Sequence, residues 1–380
     1  MRVLIVGAGL GGLALAAFLD SCGIEYVIVE KHSDWLREGY SLGLWNNGRA
    51  MLKKLGLSEM LDEHEITFQR FLICDGNGAI LREYNLSRFY AEFGMGYSHV
   101  RRADLHDWLL RNVKHPIRMN TSLIALNNSM TNVEATFSDG GREVFDLVVG
   151  ADGIHSDVRS MCFERHLESY TNWRAWYVWV RRSFAQPRTV SEYVAPNEFA
   201  AVFDEGDKAL AVLVARTDHS LWDAPENRIE RLKALFKGEP VLIPEILNGA
   251  TAENILPVDL VEISLKKWSV GRVVLIGDAA HGFEPFAGLG GSLAMEDAYV
   301  LAGELKKAPD ASEGAISRAL EAYEAKRRRR VEEARTLTNR MQGWATIRSP
   351  LLRKIVNRCV PFLPESWITD NYFSFMREEI

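Results

Sequence analysis

The sequence predicts an α/β protein in which a parallel sheet covered by helices is interleaved with an antiparallel sheet and followed by C-terminal helices. Three observations predict this architecture. The first 30 residues read strand, glycine-rich turn, helix and strand, a β-α-β unit that implies parallel pairing. A further apolar strand of the parallel type follows much later, at 270–276. Between them, from about residue 171, alternating strands are separated by short turns, which is typical of an antiparallel sheet.

The N-terminal unit is predicted from its apolar pattern and from the residues that interrupt it. Residues 2–6 form a β-branched apolar run that ends at glycine, which predicts a buried strand. Residues 13–19 are apolar and helix-forming, and Gly23 predicts the end of that helix. Residues 26–30 then predict the second strand.

The rest of the chain predicts two interleaved regions. Helices are expected at 47–55, 103–112, 292–305 and 315–342, and a hairpin at 69–84. Strands of the inserted sheet are expected at 173–184, 190–194, 198–203 and 209–217. We therefore expect a discontinuous first domain at 1–75, 98–170 and 265–340, a substrate-binding sheet domain at 76–97 and 171–264, and a helical tail at 341–380.

The composition is that of a globular protein and excludes several function classes. Of the 380 residues, 47% are hydrophobic and 25% are charged, which argues against a disordered chain. The net charge of −6 does not suit a binder of nucleic acid or of anionic membranes. No apolar run of 18 residues predicts a membrane span. The four cysteines are too far apart for a disulfide framework or a cysteine zinc site, so we expect no metal and a reducing, cytoplasmic compartment.

A glycine-rich loop after the first strand predicts a dinucleotide site in a Rossmann-like domain. Residues 7–12 read GAGLGG and fit G-x-G-x-x-G between a strand and a helix. Gly7 permits a tight turn, Gly9 lets the backbone approach a pyrophosphate, and Gly12 lets helix and strand pack closely. Glu30 ends the second strand, where a carboxylate accepts hydrogen bonds from ribose hydroxyls. These residues alone do not distinguish FAD from NAD.

Two later motifs each place a carboxylate after a glycine at the end of an apolar strand. Asp152 follows Gly-Ala at the end of one strand, and Asp278 follows the glycine that ends another. The carboxyl ends of parallel strands share one edge of a sheet, where α/β proteins bind ligands. After Pro285, the glycines within 288–291 open a helix and can offer backbone N–H groups to an anionic ring or a phosphate. We expect Asp278 to hold ribityl hydroxyls of a flavin.

Together these motifs resemble those of the single-component FAD-dependent aromatic hydroxylases, the salicylate- and hydroxybenzoate-hydroxylase-like flavoprotein monooxygenases. The resemblance rests on GAGLGG with Glu30, on GADGIHSDVR, and on GRVVLIGDAAH followed by a proline and GLGGSLAMEDA. The segment VRRADL at 100–105 is similar to the family's arginine that stands two residues before an acid–leucine pair. The match spans residues 1 to about 340, although the inserted sheet matches only in layout.

The resemblance implies an enzyme that uses NADH or NADPH and O₂ to insert one oxygen atom into an electron-rich aromatic or polyketide-like small molecule, through a flavin hydroperoxide. FAD would be the resident cofactor, and the nicotinamide nucleotide would dock only transiently. No residue is assigned a catalytic role. The residues implied in FAD binding are Gly7, Gly9, Leu10, Gly11, Gly12, Glu30, Arg102, Asp152, Asp278, Pro285, Gly288, Leu289, Gly290, Gly291 and Ser292.

The chain departs from the family's pattern at three positions. Leu289 and Ser292 stand where the family often has glutamine and asparagine, so the polarity beside the flavin ring is expected to differ. Some relatives carry a histidine that deprotonates a phenol, and in rough register that position is Gly43. No general base is therefore visible, which lowers the expectation of phenol hydroxylation and raises that of another oxygen acceptor.

Aromatic residues on the inserted sheet predict a pocket for a flat, apolar substrate, although ordinary sheet packing explains them equally well. By the period of two, Trp173, Tyr177 and Trp179 share one face of their strand and Trp176 takes the other. Six residues are expected to contact the substrate: Gly43, Trp45, Trp176, Tyr193, Phe203 and Pro285.

Other features have simpler explanations. His281 is expected to fix its loop by a hydrogen bond, and Asp157 is expected to pair with Arg159. The basic run at 326–330 is expected to be a solvated helix face with i,i+4 ion pairs. The apolar tail at 351–375 covers the pocket, packs on the core or makes a dimer contact, so a monomer and a homodimer both remain open.

Three alternative functions remain. A flavin-dependent halogenase shares the architecture but uses a Trp-x-Trp-x-Ile-Pro stretch, whereas residues 176–180 read WYVWV with no Ile-Pro after them. A flavoprotein reductase or dehydrogenase would use the same fold without oxygen insertion, and oxygen uptake separates it. A flavin-binding regulator without catalysis would show no substrate-stimulated oxidation of NADH or NADPH.

Overall fold

The computed structural model describes residues 1–35, 39–87, 90–91, 96–163, 168–218, 223–236, 240–364 and 375. The described α-helices are α1 (Leu10–Cys22), α2 (Asn46–Lys54), α3 (Ser58–His64), α4 (Arg102–Arg111), α5 (Asp157–Cys162), α6 (Arg228–Leu235), α7 (Leu242–Asn248), α8 (Asp278–His281), α9 (Gly290–Lys307), α10 (Glu313–Ala345) and α11 (Pro350–Cys359). None of them is long and apolar enough to cross a bilayer.

The described strands belong to four sheets. They are β1 (Arg2–Val6), β2 (Glu25–Val29), β3 (Ser41–Leu44), β4 (Ile66–Thr67), β5 (Arg70–Asp75), β6 (Ile80–Asn85), β7 (Ser98–Arg101), β8 (Ile117–Arg118), β9 (Leu123–Asn128), β10 (Val133–Phe137), β11 (Arg142–Phe145), β12 (Leu147–Gly150), β13 (Glu168–Arg181), β14 (Thr189–Ala195), β15 (Glu198–Asp204), β16 (Lys208–Arg216), β17 (Ile255–Ile263), β18 (Ser269–Val270) and β19 (Val273–Leu275).

A six-stranded sheet forms the centre of the first domain, in the order β18-β19-β12-β1-β2-β8. The pairings of β1 with β2 and β12, of β12 with β19 and of β2 with β8 are parallel, and β18 pairs antiparallel with β19. The core strand β1 is fully buried from Val3 to Ile5, because it lies between β2 and β12 and is also contacted by α1 and β11. This arrangement confirms the predicted Rossmann-like α/β architecture.

The inserted sheet has seven strands, in the order β17-β13-β16-β15-β14-β5-β6. Its pairs are antiparallel except for β14 with β5, so the expected antiparallel sheet contains one parallel pairing. The hairpin of β5 and β6 belongs to this sheet. The expected boundary between 75 and 76 therefore runs through a hairpin, and we propose a domain boundary before Arg70 instead. Residues 88–89 and 92–95 of the expected segment 76–97 lie outside the described residues.

The inserted sheet is covered on both faces. One face forms an apolar cluster with Trp173, Tyr177 and Phe199 and faces the first domain. The other face is covered by α6 and α7, which the sequence did not predict, and it buries Trp176. A substrate that reaches the first domain can therefore contact only the face with Tyr177.

The described part of the tail packs on the protein. The Arg330 Nη1 atom donates a hydrogen bond to the carbonyl of Phe375, which is buried. The Arg82 Nη1 atom donates one to the carbonyl of Pro361 at 2.7 Å, which attaches the segment after α11 to β6. Of the three expected placements, packing on the core is observed for Val360 and Phe375, while 365–374 and 376–380 lie outside the described residues.

Candidate functional site

Three glycines in the loop between β1 and α1 and in the first turn of α1 each have a separate structural reason. Gly7 has a φ of +100°, and a Cβ there would lie 2.6 Å from the carbonyl oxygen of Ala151. A Cβ at Gly12 would lie 2.0 Å from the carbonyl oxygen of Gly7, so α1 can pack on this turn only with glycine. Nothing in the described part of the chain lies within 4 Å of a Cβ built on Gly9, which leaves this backbone open to a ligand.

Replacing Gly12 with alanine is expected to destabilise the protein by about 1 to 3 kcal/mol, because the new methyl group meets backbone that must shift. The measurement is the free energy of unfolding in denaturant. The matched control is Gly303→Ala in α9, where the space around an added Cβ is open. Alanine there is expected to stabilise the helix by about 0.5 to 1 kcal/mol. Equal stability of the Gly12 variant and the wild type would contradict the packing described.

Two cavities lie along the carboxyl ends of the central strands and meet at the glycine loop. The smaller one, of about 220 Å³, includes Glu30 and Asp152 in its lining. The larger one, of about 390 Å³, extends past Asp278 to the glycines that precede α9. The residues that line both cavities are Gly9, Arg102, Ala151 and Gly153. Because the cavities share this wall, together they form one elongated groove.

Glu30 fixes the glycine loop and keeps room for a further ligand. Its Oε2 atom accepts a hydrogen bond from the backbone N–H of Ala8 at 2.9 Å, and its Oε1 atom accepts one from the backbone N–H of His32 at 3.0 Å. A carboxylate has about four lone-pair sites. Two sites therefore remain for donors in the smaller cavity, as the expected role toward a ribose requires.

Asp152 lines the smaller cavity, but its carboxylate is engaged within the protein. It accepts hydrogen bonds from the Ser156 hydroxyl at 2.5 Å and from the backbone N–H of Val158 at 3.0 Å, which holds the start of α5. Burial raises the pKa of Asp152, and these two hydrogen bonds oppose that rise. The expected pairing of Asp157 with Arg159 was wrong, because Arg159 donates to two backbone carbonyls and pairs with Glu168 instead.

A buried aspartate holds the loop that carries Asp278. The Asp297 carboxylate accepts hydrogen bonds from the Gly277 backbone N–H at 2.8 Å and from His281 Nε2 at 2.6 Å. Burial opposes its ionisation, but His281 and Arg327 together lower the pKa of Asp297 to about 2. The expected loop-fixing hydrogen bond of His281 is therefore observed.

Two arginines of the basic run are buried, contrary to the expectation of a solvated face. Arg327 is 1% exposed and forms ion pairs with Glu296 and Asp297. Arg330 donates two hydrogen bonds of 3.0 Å to Glu296, from Nε and from Nη2. The next two arginines, at 328 and 329, form the expected i,i+4 pairs. The run thus joins α10 to α9 beneath the larger cavity.

Three residues expected to bind the cofactor do not line either cavity. Gly12 packs against Gly7, as described above. Leu289, directly before α9, and Ser292, in its first turn, are 1% and 0% exposed, because both side chains are directed into the protein. The backbones of Gly288, Gly290 and Gly291 do line the larger cavity, as the expected glycine contacts require.

Half of the six expected substrate residues face the larger cavity, and half do not. Gly43, Phe203 and Pro285 line it. Trp176 and Tyr193 lie on the opposite face of the sheet, against the cluster under α6 and α7. Both expectations were wrong because the period of two separates the faces of a strand without telling which face meets the first domain.

Trp45 was also expected to contact the substrate and instead lies behind the wall. It is 6% exposed, its Nε1 atom donates to the carbonyl of Ala287 at 3.1 Å, and its ring lies 4.4 Å from the ring of Tyr97. It therefore supports the cavity lining from outside.

A polar chain on the cavity wall was not found from the sequence. The Tyr97 hydroxyl lies 2.9 Å from His99 Nε2, and His99 Nδ1 lies 2.6 Å from Glu205 Oε1. The Ser41 hydroxyl donates to the other oxygen of Glu205 at 2.6 Å. Tyr97 and His99 line the larger cavity, while Glu205 is 1% exposed. This arrangement can accept a proton at the cavity and stabilise it beneath the surface.

The hydrogen-bonded series of Tyr97, His99 and Glu205 lies beside Gly43, the position where the sequence showed no base. Gly43 pairs with His99 across β3 and β7, and a Cβ on Gly43 would lie 2.6 Å from the Tyr97 hydroxyl. Glycine at 43 therefore makes room for Tyr97. The sequence gives one indication that Tyr97 and His99 meet, since residues 97 and 99 share a face of an extended strand. Glu205 lies 106 residues further on, so only the fold brings it to His99.

Comparison with known proteins decides the family. The family model described as FAD binding domain matches residues 1–338. The chain belongs to this family. Its relatives include the 3-amino-4-hydroxybenzoate 2-monooxygenase PtnB3 of Streptomyces platensis, which is 31% identical over 350 residues, or 87% of this chain and 85% of that protein. A flavin-dependent monooxygenase of Legionella longbeachae is 28% identical over 348 residues, or 86% of this chain and 84% of that protein.

A solved structure agrees with this assignment at the level of the fold. HpxO of Klebsiella pneumoniae, complexed with FAD and uric acid, superimposes with a TM-score of 0.87 and 21% identity over 99% of this chain and 96% of that chain. The predicted family, the enzyme class and the FAD cofactor are therefore confirmed: the protein is an FAD-dependent monooxygenase.

The residues of the groove fit FAD. The backbone at Gly9 is open, the N-terminus of α1 lines the groove through Leu10 and Gly11, and Glu30 has free lone pairs. The Asp278 carboxylate faces the larger cavity, and none of the described residues donates a hydrogen bond to it. Desolvation of the carboxylate by the surrounding protein raises the pKa of Asp278, and the nearby charge of Asp297 raises it further. A ligand hydroxyl would satisfy this carboxylate.

Replacing Asp278 with alanine is expected to leave the purified protein without FAD, because the mutation removes an acceptor that the protein itself does not use. The measurement is the ratio of absorbance at the flavin band to that of the protein after gel filtration. The control is Asp62→Ala in α3, an exposed aspartate that pairs with Arg49. Full flavin occupancy in the Asp278 variant would rule out this role.

Proposed function

We propose that this FAD-dependent monooxygenase hydroxylates a flat, electron-rich aromatic small molecule in the larger cavity, with NADH or NADPH as electron donor. The observation that carries the proposal is the position of that cavity, between the glycines before α9 and the apolar face of the inserted sheet. The sheet contributes these side chains to the lining: Ala175, Tyr177, Phe199, Ala201, Phe203, Leu210, Val212, Val214 and Leu260. The name of the Streptomyces relative denotes an aromatic substrate, which supports the same class.

Tyr97 and His99 are the proposed acid–base groups for a substrate hydroxyl. Burial raises the pKa of Tyr97 strongly, and the charge of Glu205 raises it further, so the phenol is neutral at physiological pH. As the substrate hydroxyl gives its proton to Tyr97 Oη, Tyr97 gives its own proton to His99 Nε2. The Nδ1–H of His99 donates to the carboxylate of Glu205, which stabilises the resulting imidazolium. Loss of that proton makes the ring more electron-rich.

The other contributions of the chain are orientation and the exclusion of water. Tyr40 and Tyr177 stack with ring centroids 4.1 Å apart at an angle of 18° and extend the apolar wall. Trp179 Nε1 donates to the carbonyl of Gly39 at 2.9 Å, which holds the segment before β3 against the sheet. Bound FAD supplies the redox chemistry, namely electron uptake from a nicotinamide nucleotide and reaction with O₂. A dry cavity protects that chemistry from stray protons.

Anaerobic stopped-flow reduction of the FAD-loaded protein tests the proposal. NADH and NADPH are mixed separately with the enzyme, with and without a series of aromatic and polyketide-like compounds, and bleaching of the flavin is followed. We expect reduction by one nicotinamide nucleotide that a cavity-binding aromatic accelerates. Reduction by neither nucleotide under any condition would contradict the proposed donor and favour an external reductase.

Two further proposals concern the setting of the reaction. The four described cysteines, Cys22, Cys74, Cys162 and Cys359, are all free thiols, which fits a reducing, cytoplasmic compartment. We also propose a monomer or a homodimer, which sedimentation of the purified FAD-loaded protein distinguishes.

A further inference from the structure

Glu192 is an acidic residue on the apolar wall of the larger cavity. It lies in the middle of β14, between Ile73 of β5 and Ala201 of β15. Both neighbours belong to the apolar cluster on the cavity face, and Ala201 lines the cavity with Glu192. None of the described residues donates a hydrogen bond to its carboxyl group. An unsatisfied polar group in such surroundings costs free energy unless a ligand supplies the missing partner.

The charges around the cavity do not favour an anionic substrate. The described lining includes two carboxyl groups, of Glu192 and Asp278, and a third, of Glu205, lies directly behind His99. Arg102 is the one arginine in that lining, which holds no lysine, and it also lines the smaller cavity of the FAD groove. A substrate carboxylate next to Glu192 would therefore lack a cation of its own.

The protonation state of Glu192 indicates which ligand would suit it. Burial raises the pKa of Glu192 to about 8, so the carboxyl group is mostly protonated at neutral pH. A protonated carboxyl presents an O–H donor beside a C=O acceptor. The complementary edge is an N–H beside a C=O, as in an amide or a cyclic amide. The ionised form would also accept hydrogen bonds from an N–H or O–H group.

We propose that Glu192 recognises the substrate, and that the substrate is an uncharged aromatic compound with an N–H donor beside a carbonyl. The inference rests on the proposed function, since it names the substrate class of the same cavity. It assigns Glu192 to binding rather than to proton transfer, which stays with Tyr97 and His99. It also separates this chain from PtnB3, whose name denotes a benzoate.

Matched pairs of ligands test this selectivity directly. Each pair consists of a hydroxylated aromatic carboxamide and the carboxylate of the same ring, beginning with 3-hydroxybenzamide and 3-hydroxybenzoate and continuing with pyridine and quinoline analogues. Their dissociation constants for the oxidised, FAD-loaded protein are measured by calorimetry at pH 7. We expect the wild type to bind amides about tenfold or more tighter than carboxylates.

Two substitutions separate recognition from folding. Glu192→Gln keeps the shape and offers an N–H donor to either ligand, so the preference for amides should shrink by about tenfold while amide binding persists. Glu192→Leu removes both hydrogen bonds and should weaken amide binding by about tenfold or more. The charge-matched control is Glu83→Gln, because Glu83 is exposed on the same sheet and pairs with Arg70. The control should keep the wild-type ratio of amide to carboxylate affinity.

Three outcomes would each overturn the inference. They are equal or tighter binding of carboxylates by the wild type, no binding of any pair, and an unchanged ratio of amide to carboxylate affinity in both folded Glu192 variants. A failure of the proposed function would give a different result, because neither nicotinamide nucleotide would then reduce the FAD-loaded protein. Thermal unfolding of the loaded variants verifies that the comparisons are made on folded protein.

Discussion

Replacing His99 with glutamine is expected to lower kcat by about 10²- to 10⁴-fold for a substrate with an ionisable hydroxyl, because glutamine cannot take up a proton. Glutamine can keep both hydrogen bonds of His99, donating to Glu205 and accepting from Tyr97, so Glu205 is not left buried and unpaired. FAD content and anaerobic reduction by the nicotinamide nucleotide should stay at wild-type levels. The measurement is steady-state kcat as a function of pH, in which the limb that requires a base should disappear.

The matched control for this prediction is His64→Gln. His64 is exposed at the end of α3, and its Nδ1 atom lies 3.0 Å from the carbonyl of Met60. Tyr97→Phe should reproduce most of the His99 effect, since it breaks the same path at the cavity. An unchanged kcat and pH profile in both the His99 and the Tyr97 variants would exclude the proposed proton path.

Replacing Asp297 with asparagine is expected to destabilise the protein by about 3 to 5 kcal/mol, because Arg327 and His281 lose a buried ionic partner. The pKa of Asp297 is depressed in the folded state, to about 2. Its stabilising contribution is therefore complete above about pH 5 and is lost as the pH falls toward 2. The difference in unfolding free energy between wild type and variant should be constant from about pH 5 to 8 and shrink below about pH 4.

This variant should also lose FAD affinity, because Asp297 holds the backbone N–H of Gly277 next to Asp278. The control is Asp139→Asn, an exposed turn residue whose Oδ1 atom accepts from the backbone N–H of Gly141 at 2.8 Å. It should change the free energy of unfolding by less than about 0.5 kcal/mol. A stable Asp297 variant with full FAD would show that the buried ion pairs do not hold the loop.

The cofactor half of the site could be predicted because its chemistry lies in short segments. Gly7, Gly9, Glu30 and Asp278 each stand at the end of a strand whose apolar pattern is visible in the sequence. The backbone conformation that these positions need restricts the residue type, so the motif carries the geometry with it. The burial of the Leu289 and Ser292 side chains could not be predicted, because a motif does not say which side chains face inward.

The substrate half could not be predicted, because it is assembled from distant segments. His99 and Glu192 lie on two different strands, Glu205 follows a third, and nothing local marks them as neighbours. Both faces of the sheet are buried, so the alternation of side chains does not tell which face meets the cavity. Trp176 was assigned to the wrong face for this reason. The strand β17 was missed because Pro257 interrupts its pattern, and proline is tolerated there since β17 lies at the sheet edge.

The most direct test of the central claim is the fate of labelled oxygen. The FAD-loaded enzyme is supplied with NADH or NADPH, ¹⁸O₂ and an aromatic compound that accelerates flavin reduction, and the product is analysed by mass spectrometry. The account predicts one ¹⁸O atom in the ring product for each nicotinamide nucleotide oxidised in coupled turnover, and none from labelled water. Recovery of all consumed oxygen as hydrogen peroxide, with no labelled product from any compound that accelerates reduction, would contradict it.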